Sequence, residues 1–137
     1  CSSDLLAEVI TGRIVRDIND ATGLSGPDFM ILMALSKNPH GALLQRDLLE
    51  YLEWDKSRLS HQLSRMASRE LVQRSRTHSA GVSVSITQAG YQLLAKARPV
   101  HTESVRRNFL DKLTPEDVHA LIAITGRLRQ SDSGVIE

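Results

Sequence analysis

The chain has few aromatic residues, and it also lacks two features whose absence excludes a class of protein: a second cysteine and a long apolar run. With Cys1 as the only cysteine among 137 residues, neither an intramolecular disulfide nor a cysteine-rich zinc site can form. No stretch approaches the roughly 20 apolar residues that a membrane span needs. No basic stretch followed by a short apolar core opens the sequence, which predicts no secretory signal. We therefore expect a protein of the reducing cytoplasm, without a membrane partner.

Motifs of catalysis and of metal binding are also missing. The five histidines are His40, His61, His78, His101 and His119. None of their spacings matches HxxxH or HExxH, so no metal site is predicted. There is no GxSxG elbow, Walker loop or GxGxxG fingerprint, and the adjacent acids Glu116 and Asp117 fit a helix N-terminus better than acid–base chemistry. We predict that the protein is not an enzyme and needs no cofactor.

The residues that are abundant favour a helical globular domain with one basic segment. Hydrophobic residues make up 41% of the chain and charged residues 24%, and the apolar set is mostly leucine, valine, isoleucine and alanine. Residues 54–81 hold six cationic and two acidic side chains, a local charge of +4, which leaves −3 for the rest of a chain whose net charge is +1. Such a distribution is typical of a nucleic-acid contact, although a basic run is also typical of a solvated face.

The spacing of apolar residues predicts a definite order of elements. They are helices over 4–18, 28–36, 45–52 and 56–70, strands over 42–44, 71–77 and 82–87, a long helix from 87 to about 112, and a last helix starting at Thr114. Ser25 and Asp28 form a capping box in this prediction, Pro99 interrupts the long helix, and residues 131–137 form a frayed tail. Helix, helix, basic helix and hairpin in succession predict a winged helix-turn-helix, mainly α with a small β-hairpin wing.

The helix predicted over residues 56–70 has two chemically different faces. The residues that recur at three- and four-residue spacing and should face the core are Leu59, Leu63, Met66 and Ala67. The other face carries hydroxyl, amide, imidazole and guanidinium groups, with no carboxylate before Glu70, whereas a merely solvated helix usually mixes Glu with Lys. Arginine can bind guanine bidentately, glutamine can pair with adenine, and serine and histidine can donate to bases or phosphates. The predicted base contacts are Ser57, Arg58, Ser60, His61 and Gln62, and the predicted phosphate contacts are Arg65, Arg74 and Arg76.

Three segments resemble the MarR family of bacterial transcriptional regulators. Residues 54–63, followed by Met66 and by residues 70–74, are similar to the recognition helix of that family and its exit into the wing. Residues 86–90 resemble the Leu-Thr-x-x-Gly pattern where the wing returns to the long helix, and residues 113–116 resemble the start of the final helix. The resemblance extends from about Leu5 to Leu128. It implies a single domain over 1–137, with a winged-helix DNA-binding core at about 28–90 and dimerisation helices at 4–22 and 100–130.

The resemblance also implies how such a protein works. A homodimer would bind a pseudo-palindromic operator and repress transcription, and a small phenolic or anionic effector would release the DNA by changing the spacing of the two recognition helices. The apolar stripes of the first and last helices supply a dimer surface, or else pack within the chain. Arg13, Arg16 and His101 are candidates to line the effector site, with Trp54 as either a ligand-stacking residue or a core residue that sets the angle of the helix-turn-helix.

One departure from the family pattern concerns the wing. The family usually carries an Asp and, two residues later, an Arg that reaches the minor groove, but those places hold His78 and Ala80 here. Wing contacts must then come from Arg74 or Arg76, or be weaker. This departure leaves open an alternative function, a winged-helix protein-interaction module without specific DNA binding. A third hypothesis is a thiol redox switch at Cys1.

Overall fold

The computed structural model describes residues 2–79 and 81–133, so the predictions about Cys1, Ala80 and the last residues of the tail lie outside the described residues. The elements follow the predicted order and confirm a mainly helical fold with a small sheet. They are α1 (Ser2–Thr22), α2 (Gly26–Ser36), β1 (Ala42–Leu44), α3 (Gln45–Leu52), α4 (Lys56–Ser68), β2 (Val72–Thr77), β3 (Gly81–Ile86), α5 (Gln88–Asn108), a 3-10 helix (Leu110–Lys112) and α6 (Pro115–Ser133). Within this part of the chain, no helix is both long and apolar enough to cross a bilayer.

The chain divides into two compact units, one formed by residues 15–101 and the other by the residues up to 14 together with those from 102 onward. The first unit holds α2 to α4 and the whole sheet, and the second holds α6. The predicted winged-helix core at about 28–90 and dimerisation helices at 4–22 and 100–130 stay a prediction.

The sheet has three antiparallel strands in the order β1-β3-β2, with β3 in the centre. Val84 lies opposite Leu43 of β1 and Arg74 of β2, so the hairpin of the wing is anchored on its inner edge by β1. The core beneath the sheet is built from fully buried side chains of α2, α3, α4 and β3: Ile31, Leu32, Leu35, Leu48, Leu59, Leu63, Met66 and Val84. The predicted core face of α4 is therefore confirmed at Leu59, Leu63 and Met66, whereas Ala67 at its edge is half-buried.

Side-chain caps fix where the helices begin. The capping box of α2 is confirmed, since the Asp28 backbone N–H donates to Ser25 Oγ (3.1 Å) and the Ser25 N–H donates to Asp28 Oδ2 (2.9 Å). Asp55 caps α4 as predicted, because its Oδ1 accepts from the Arg58 N–H at 2.8 Å. Thr114 caps α6 by accepting from the Asp117 N–H at 3.2 Å.

Four predicted helix ends are wrong. α1 runs to Thr22 rather than to residue 18, and Gly23, with a left-handed φ of 75°, ends it. α4 ends at Ser68 rather than Glu70, because Glu70 has a left-handed φ of 61°. α5 continues through Pro99 and gives way to a 3-10 turn after Asn108; a proline removes a single helical hydrogen bond, and the turns on either side maintain the helix here. α6 runs to Ser133, so the predicted tail begins as helix, since residues 130–133 include no proline or glycine to end it.

The second unit exposes a large apolar surface. Every described side chain of α6 up to residue 130 is exposed, including Val118, Leu121, Ile122, Ile124 and Leu128. In the α1 segment of the same unit, Leu5, Leu6 and Val9 are 63%, 59% and 40% exposed. Globular chains do not leave that many large apolar side chains of one unit in water without a reason, so this surface requires a function.

An ion-pair cluster closes the end of α5 in the second unit. Arg106 donates to Glu103 one turn earlier and, through Nη1, to Asp111 Oδ2 at 2.7 Å. The hydrogen bond from Arg106 lowers the pKa of the Glu103 carboxyl below its ordinary value, and the slight loss of hydration there opposes this only in part. All three groups are exposed, so the cluster contributes little to stability.

Candidate nucleic-acid interface

Helix α4 and strand β2 present all the predicted DNA contacts except Gln62. Ser57, Arg58, His61 and Arg65 are exposed on α4, Ser60 is half-buried, and Arg74 and Arg76 are exposed on β2. Two observations join the elements. Arg74 Nη2 donates to Ser64 Oγ of α4 at 2.9 Å, and a recess of about 300 Å³ is lined by Ser60 together with Arg74 and Arg76.

Arg58 lies against the only tryptophan of the chain. Its guanidinium carbon is 3.8 Å from the ring centroid of Trp54, in a cation–π stack. Trp54 is half-buried just before the cap of α4, whereas Arg58 is exposed. The stack restricts the guanidinium to one plane while leaving its N–H edge accessible, which is the edge that reads guanine.

Gln62 is not on the exposed face of α4, so that part of the prediction is wrong. The side chain is 5% exposed and belongs to the face that packs on α2. Its Nε2 donates to Asp28 Oδ1 at 2.7 Å, and its Oε1 accepts from Arg65 Nη2 at 2.7 Å. One donor and one acceptor of the amide are occupied and the side chain is buried, so Gln62 is not placed to pair with adenine.

Asp28 is the buried centre of a polar network. From the sequence, this residue was predicted only as part of a helix cap. The residue is 3% exposed, and its Oδ2 accepts from Arg69 Nη1 at 2.7 Å as well as from the Ser25 N–H. Arg69 Nη2 also reaches the Gly23 carbonyl at 3.3 Å. The sequence does carry a signal for this network, a carboxylate at the start of the strongly apolar helix α2. A charge buried there requires a partner. The network ties α4 to α2 and to the turn before it.

Thr87 and Gly90 explain the Thr-x-x-Gly pattern at the end of the wing. The Thr87 hydroxyl donates to the Glu70 carbonyl at 2.6 Å and accepts from the Gly90 N–H at 3.0 Å, so the predicted cap of α5 is confirmed. A Cβ on Gly90 would lie 2.4 Å from the Leu71 carbonyl oxygen, closer than real Cβ contacts come. The end of α4, the start of β2 and the start of α5 thus meet at one point.

The residues predicted for an effector site lie in different surroundings. Arg13 is on the rim of an apolar recess of about 280 Å³ in the second unit, beside Lys112. In the first unit, Arg16 is exposed, and the half-buried His101 lies with its ring centroid 5.0 Å from that of Phe29. No hydrogen bond or ring contact within the described residues joins Arg16, Trp54 and His101. A shared crevice for these side chains stays a prediction.

A larger cavity lies between α3, the start of α4 and the wing, outside that prediction. Its volume is about 500 Å³, and Leu49, Leu59 and Val82 form apolar parts of its wall, with Arg46 and Lys56 as the cationic residues. That volume is in the usual range for small-molecule sites. Among the described residues, no group of three or more His, Cys, Asp and Glu side chains could hold a metal ion.

Comparisons with known proteins identify the family. A family model described as MarR family matches residues 22–80. The chain is 31% identical to AbsC, a MarR family transcriptional regulator from Streptomyces coelicolor, with a TM-score of 0.84 over 97% of this chain and 90% of that one. It is 26% identical to Sco3205, a regulator of the same family and organism solved in complex with DNA, with a TM-score of 0.84 over 95% and 82% of the two chains.

A mutant of MarR from E. coli complexed with operator DNA is 18% identical, with a TM-score of 0.73 over 91% of each chain, which supports the fold alone. No curated protein sequence matches the chain significantly. The likeness to AbsC covers nearly the whole of both chains, and the family model matches the part that carries α4. The chain belongs to the MarR family of transcriptional regulators.

Proposed function

We propose that this regulator binds DNA sequence-specifically as a homodimer and represses transcription from a pseudo-palindromic operator. The observation that carries the proposal is the exposed face of α4, where Ser57, Arg58, His61 and Arg65 stand without any acid between Lys56 and Ser68. The relative Sco3205, solved in complex with DNA, supports the same function for this chain.

The geometry of this face fits major-groove reading. A helix of 13 residues capped at its start offers its N-terminal side chains to base edges, and stacked Arg58 offers a planar fork for guanine. Arg74 and Arg76 on the adjacent strand are suited to phosphates, whose charge supplies much of the affinity. Because Ala80 replaces the usual wing-tip arginine, we expect minor-groove contact to contribute less than in relatives that have that arginine.

The exposed apolar surface of the second unit supports the homodimer. On α6, Val118, Leu121, Ile122 and Leu128 follow the three- and four-residue spacing of one helical face, and among the described residues they stay 36%, 36%, 65% and 64% exposed. A helix that buries so little of its apolar face gains little stability from packing, so a second copy that covers this face would account for it. Two-fold symmetry then pairs two recognition helices with two half-sites, about one helical turn apart.

Regulation by a small phenolic or anionic effector completes the proposal. The cavity between α3, α4 and the wing combines an apolar wall with Arg46 and Lys56, which suits an aromatic anion. A molecule that binds the free dimer more tightly than it binds the dimer–DNA complex lowers the affinity for DNA. The size of that effect is set by the ratio of its two affinities. Such a regulator would act where the chromosome is, in the cytoplasm.

The experiment that tests DNA binding is fluorescence anisotropy on a duplex selected from a random library with the parent protein. It compares that duplex with a scrambled one at several salt concentrations, for the parent and for Arg58→Ala/Arg65→Ala. We expect the parent to prefer the selected duplex by at least roughly 100-fold and the double variant to lose most of that preference with a shallower salt slope.

A charge-matched control removes two cations that lie outside this face, in Arg16→Ala/Lys96→Ala. This control should keep the preference, since the contacts are specific to α4 and β2. Equal, weak binding of parent and double variant to both duplexes would contradict the proposal. It would favour a protein-interaction module instead, for which the altered wing, with exposed His78, is the supporting observation.

A further inference from the structure

A chain of hydrogen bonds connects the exposed cation Arg65 to a carboxylate buried in α2. Arg65 Nη2 donates to Gln62 Oε1, and Gln62 Nε2 donates to Asp28 Oδ1, both at 2.7 Å. Asp28 and Gln62 are 3% and 5% exposed, whereas Arg65 is exposed. The orientation of a surface guanidinium is thus linked to a group that no DNA could touch.

The chemistry of the three groups permits only one orientation of the Gln62 amide between Arg65 and Asp28. An ionised carboxylate only accepts hydrogen bonds and a guanidinium only donates them, whereas an amide does both. The NH₂ of Gln62 must therefore face Asp28, and its oxygen must face Arg65. Turning the amide over would set donor against donor at Arg65 and acceptor against acceptor at Asp28, and unmade hydrogen bonds in a buried site are unfavourable.

Within this hydrogen-bonded series, the positive charge of Arg65 is not paired with a carboxylate. The negative charge of Asp28 is matched by Arg69, whose Nη1 is 2.7 Å from Asp28 Oδ2. Gln62 is neutral, so it orients Arg65 without cancelling the charge that would attract a phosphate. A glutamate at position 62 would cancel that charge and repel Asp28 at the same time.

We propose that Gln62 and Asp28 are positioning residues that hold the Arg65 guanidinium at the surface of α4 in the orientation that contacts the DNA backbone. The inference rests on the proposed DNA binding. An arginine that is already oriented loses less side-chain entropy when it binds, so the buried network raises the affinity for DNA without touching it.

The test is a double-mutant cycle that combines Gln62→Met with Arg65→Ala, measured by anisotropy on the selected duplex. Methionine has a similar length and no branching, so it preserves packing while removing both hydrogen bonds of the amide. We expect Gln62→Met to weaken binding by about 3- to 10-fold, the ordering cost of one long side chain. In the Arg65→Ala background the same change should have less than about a 2-fold effect, because the group it orients is gone.

A matched cycle with Arg76→Ala serves as the control. Arg76 lies on β2 outside the network, so Gln62→Met should keep its full effect in that background. Equal losses in the Arg65→Ala and parent backgrounds would overturn the proposal, since Gln62 would then act through general stability. No loss in the parent background would overturn it as well.

Nuclear magnetic resonance of the arginine guanidinium groups gives a readout that does not depend on DNA. In the parent, rotation about the Cζ–Nη bonds of Arg65 should be slowed, and in Gln62→Met it should be fast, with Arg65→Ala assigning the signals. Fast rotation in the parent overturns the proposal. If rotation is slowed but the parent does not prefer the selected duplex, the proposed function is overturned, and with it the role of Arg65 in DNA binding. The orientation of Arg65 by Gln62 and Asp28 would still stand.

Discussion

At the level of single side chains, the orientation of the exposed cations of α4 depends on neighbouring residues that are themselves buried or half-buried. Arg65 is held by Gln62, and Arg58 is stacked on Trp54 at 3.8 Å. Both supports are side chains whose roles were predicted differently, as a base reader and as a core or ligand-stacking residue. Preorganisation of a reading helix therefore involves residues that a contact map with DNA would omit.

The stack between Arg58 and Trp54 predicts a change in the fluorescence of the only tryptophan. Arg58→Ala uncovers one face of the indole ring, so emission should move to longer wavelength and quenching by acrylamide should increase. The loss of the cation–π contact should lower the free energy of unfolding by about 0.5–1 kcal/mol. Steady-state fluorescence and urea unfolding measure the two effects. Arg76→Ala is the control, and an unchanged spectrum in Arg58→Ala would contradict the stack.

Between elements, the junction of α4, the wing and α5 depends on short-range chemistry rather than on apolar packing alone. The Thr87 hydroxyl joins the Glu70 carbonyl to the Gly90 N–H, and the close approach of Gly90 to the Leu71 carbonyl requires a residue without Cβ. Glu70 adopts a left-handed φ of 61°, which ends α4 and directs the chain into β2. The placement of the wing beside α4 follows from these contacts.

Replacement of Thr87 should weaken this junction. Thr87→Val keeps the shape of the side chain but leaves the Glu70 carbonyl and the Gly90 N–H without their partner, so the free energy of unfolding should fall by about 1–2 kcal/mol. Urea denaturation followed by circular dichroism measures the change. Thr87→Ser retains the hydroxyl and should lose much less. If the two variants were equally stable, the hydroxyl would not be what holds the junction.

For the molecule as a whole, the apolar face of α6 predicts a dimer that charged substitutions on this face can weaken. Ile122 and Leu128 are 65% and 64% exposed in the isolated chain, and symmetry makes each of them count twice in an interface. Ile122→Glu/Leu128→Glu should weaken self-association by at least roughly 100-fold, since each buried aliphatic side chain contributes about 1.5–3 kcal/mol.

Sedimentation equilibrium on the full chain measures this change. Ala123→Glu places one such carboxylate on the opposite side of α6 and should leave the dimer intact. A parent protein that is monomeric at all concentrations would contradict the proposed homodimer, and it would leave the apolar surface of the second unit for another partner.

Most of the fold could be predicted from periodicity, turn chemistry and caps. β1 and α3 have the predicted bounds, and the caps at Ser25, Asp55 and Thr87 are at the predicted residues. These features depend on residues three or four apart, and such neighbours are visible in the sequence itself. The ends of α4 and α5 were harder, because the backbone of Glu70 and the continuity through Pro99 depend on what surrounds them.

The polar side chains of the site show where this local information ends. The exposed positions of Ser57, Arg58, His61 and Arg65 follow from helical spacing around a core stripe, and sequence alone was enough to predict them. The network around Asp28, which buries Gln62, depends on contacts between distant positions. Gln62 is 34 positions from Asp28 in the sequence, and Arg69 is 41 positions from it. A hydrogen bond over such a separation exists only after α2 and α4 have packed together, so it is a property of the folded core rather than of any one segment.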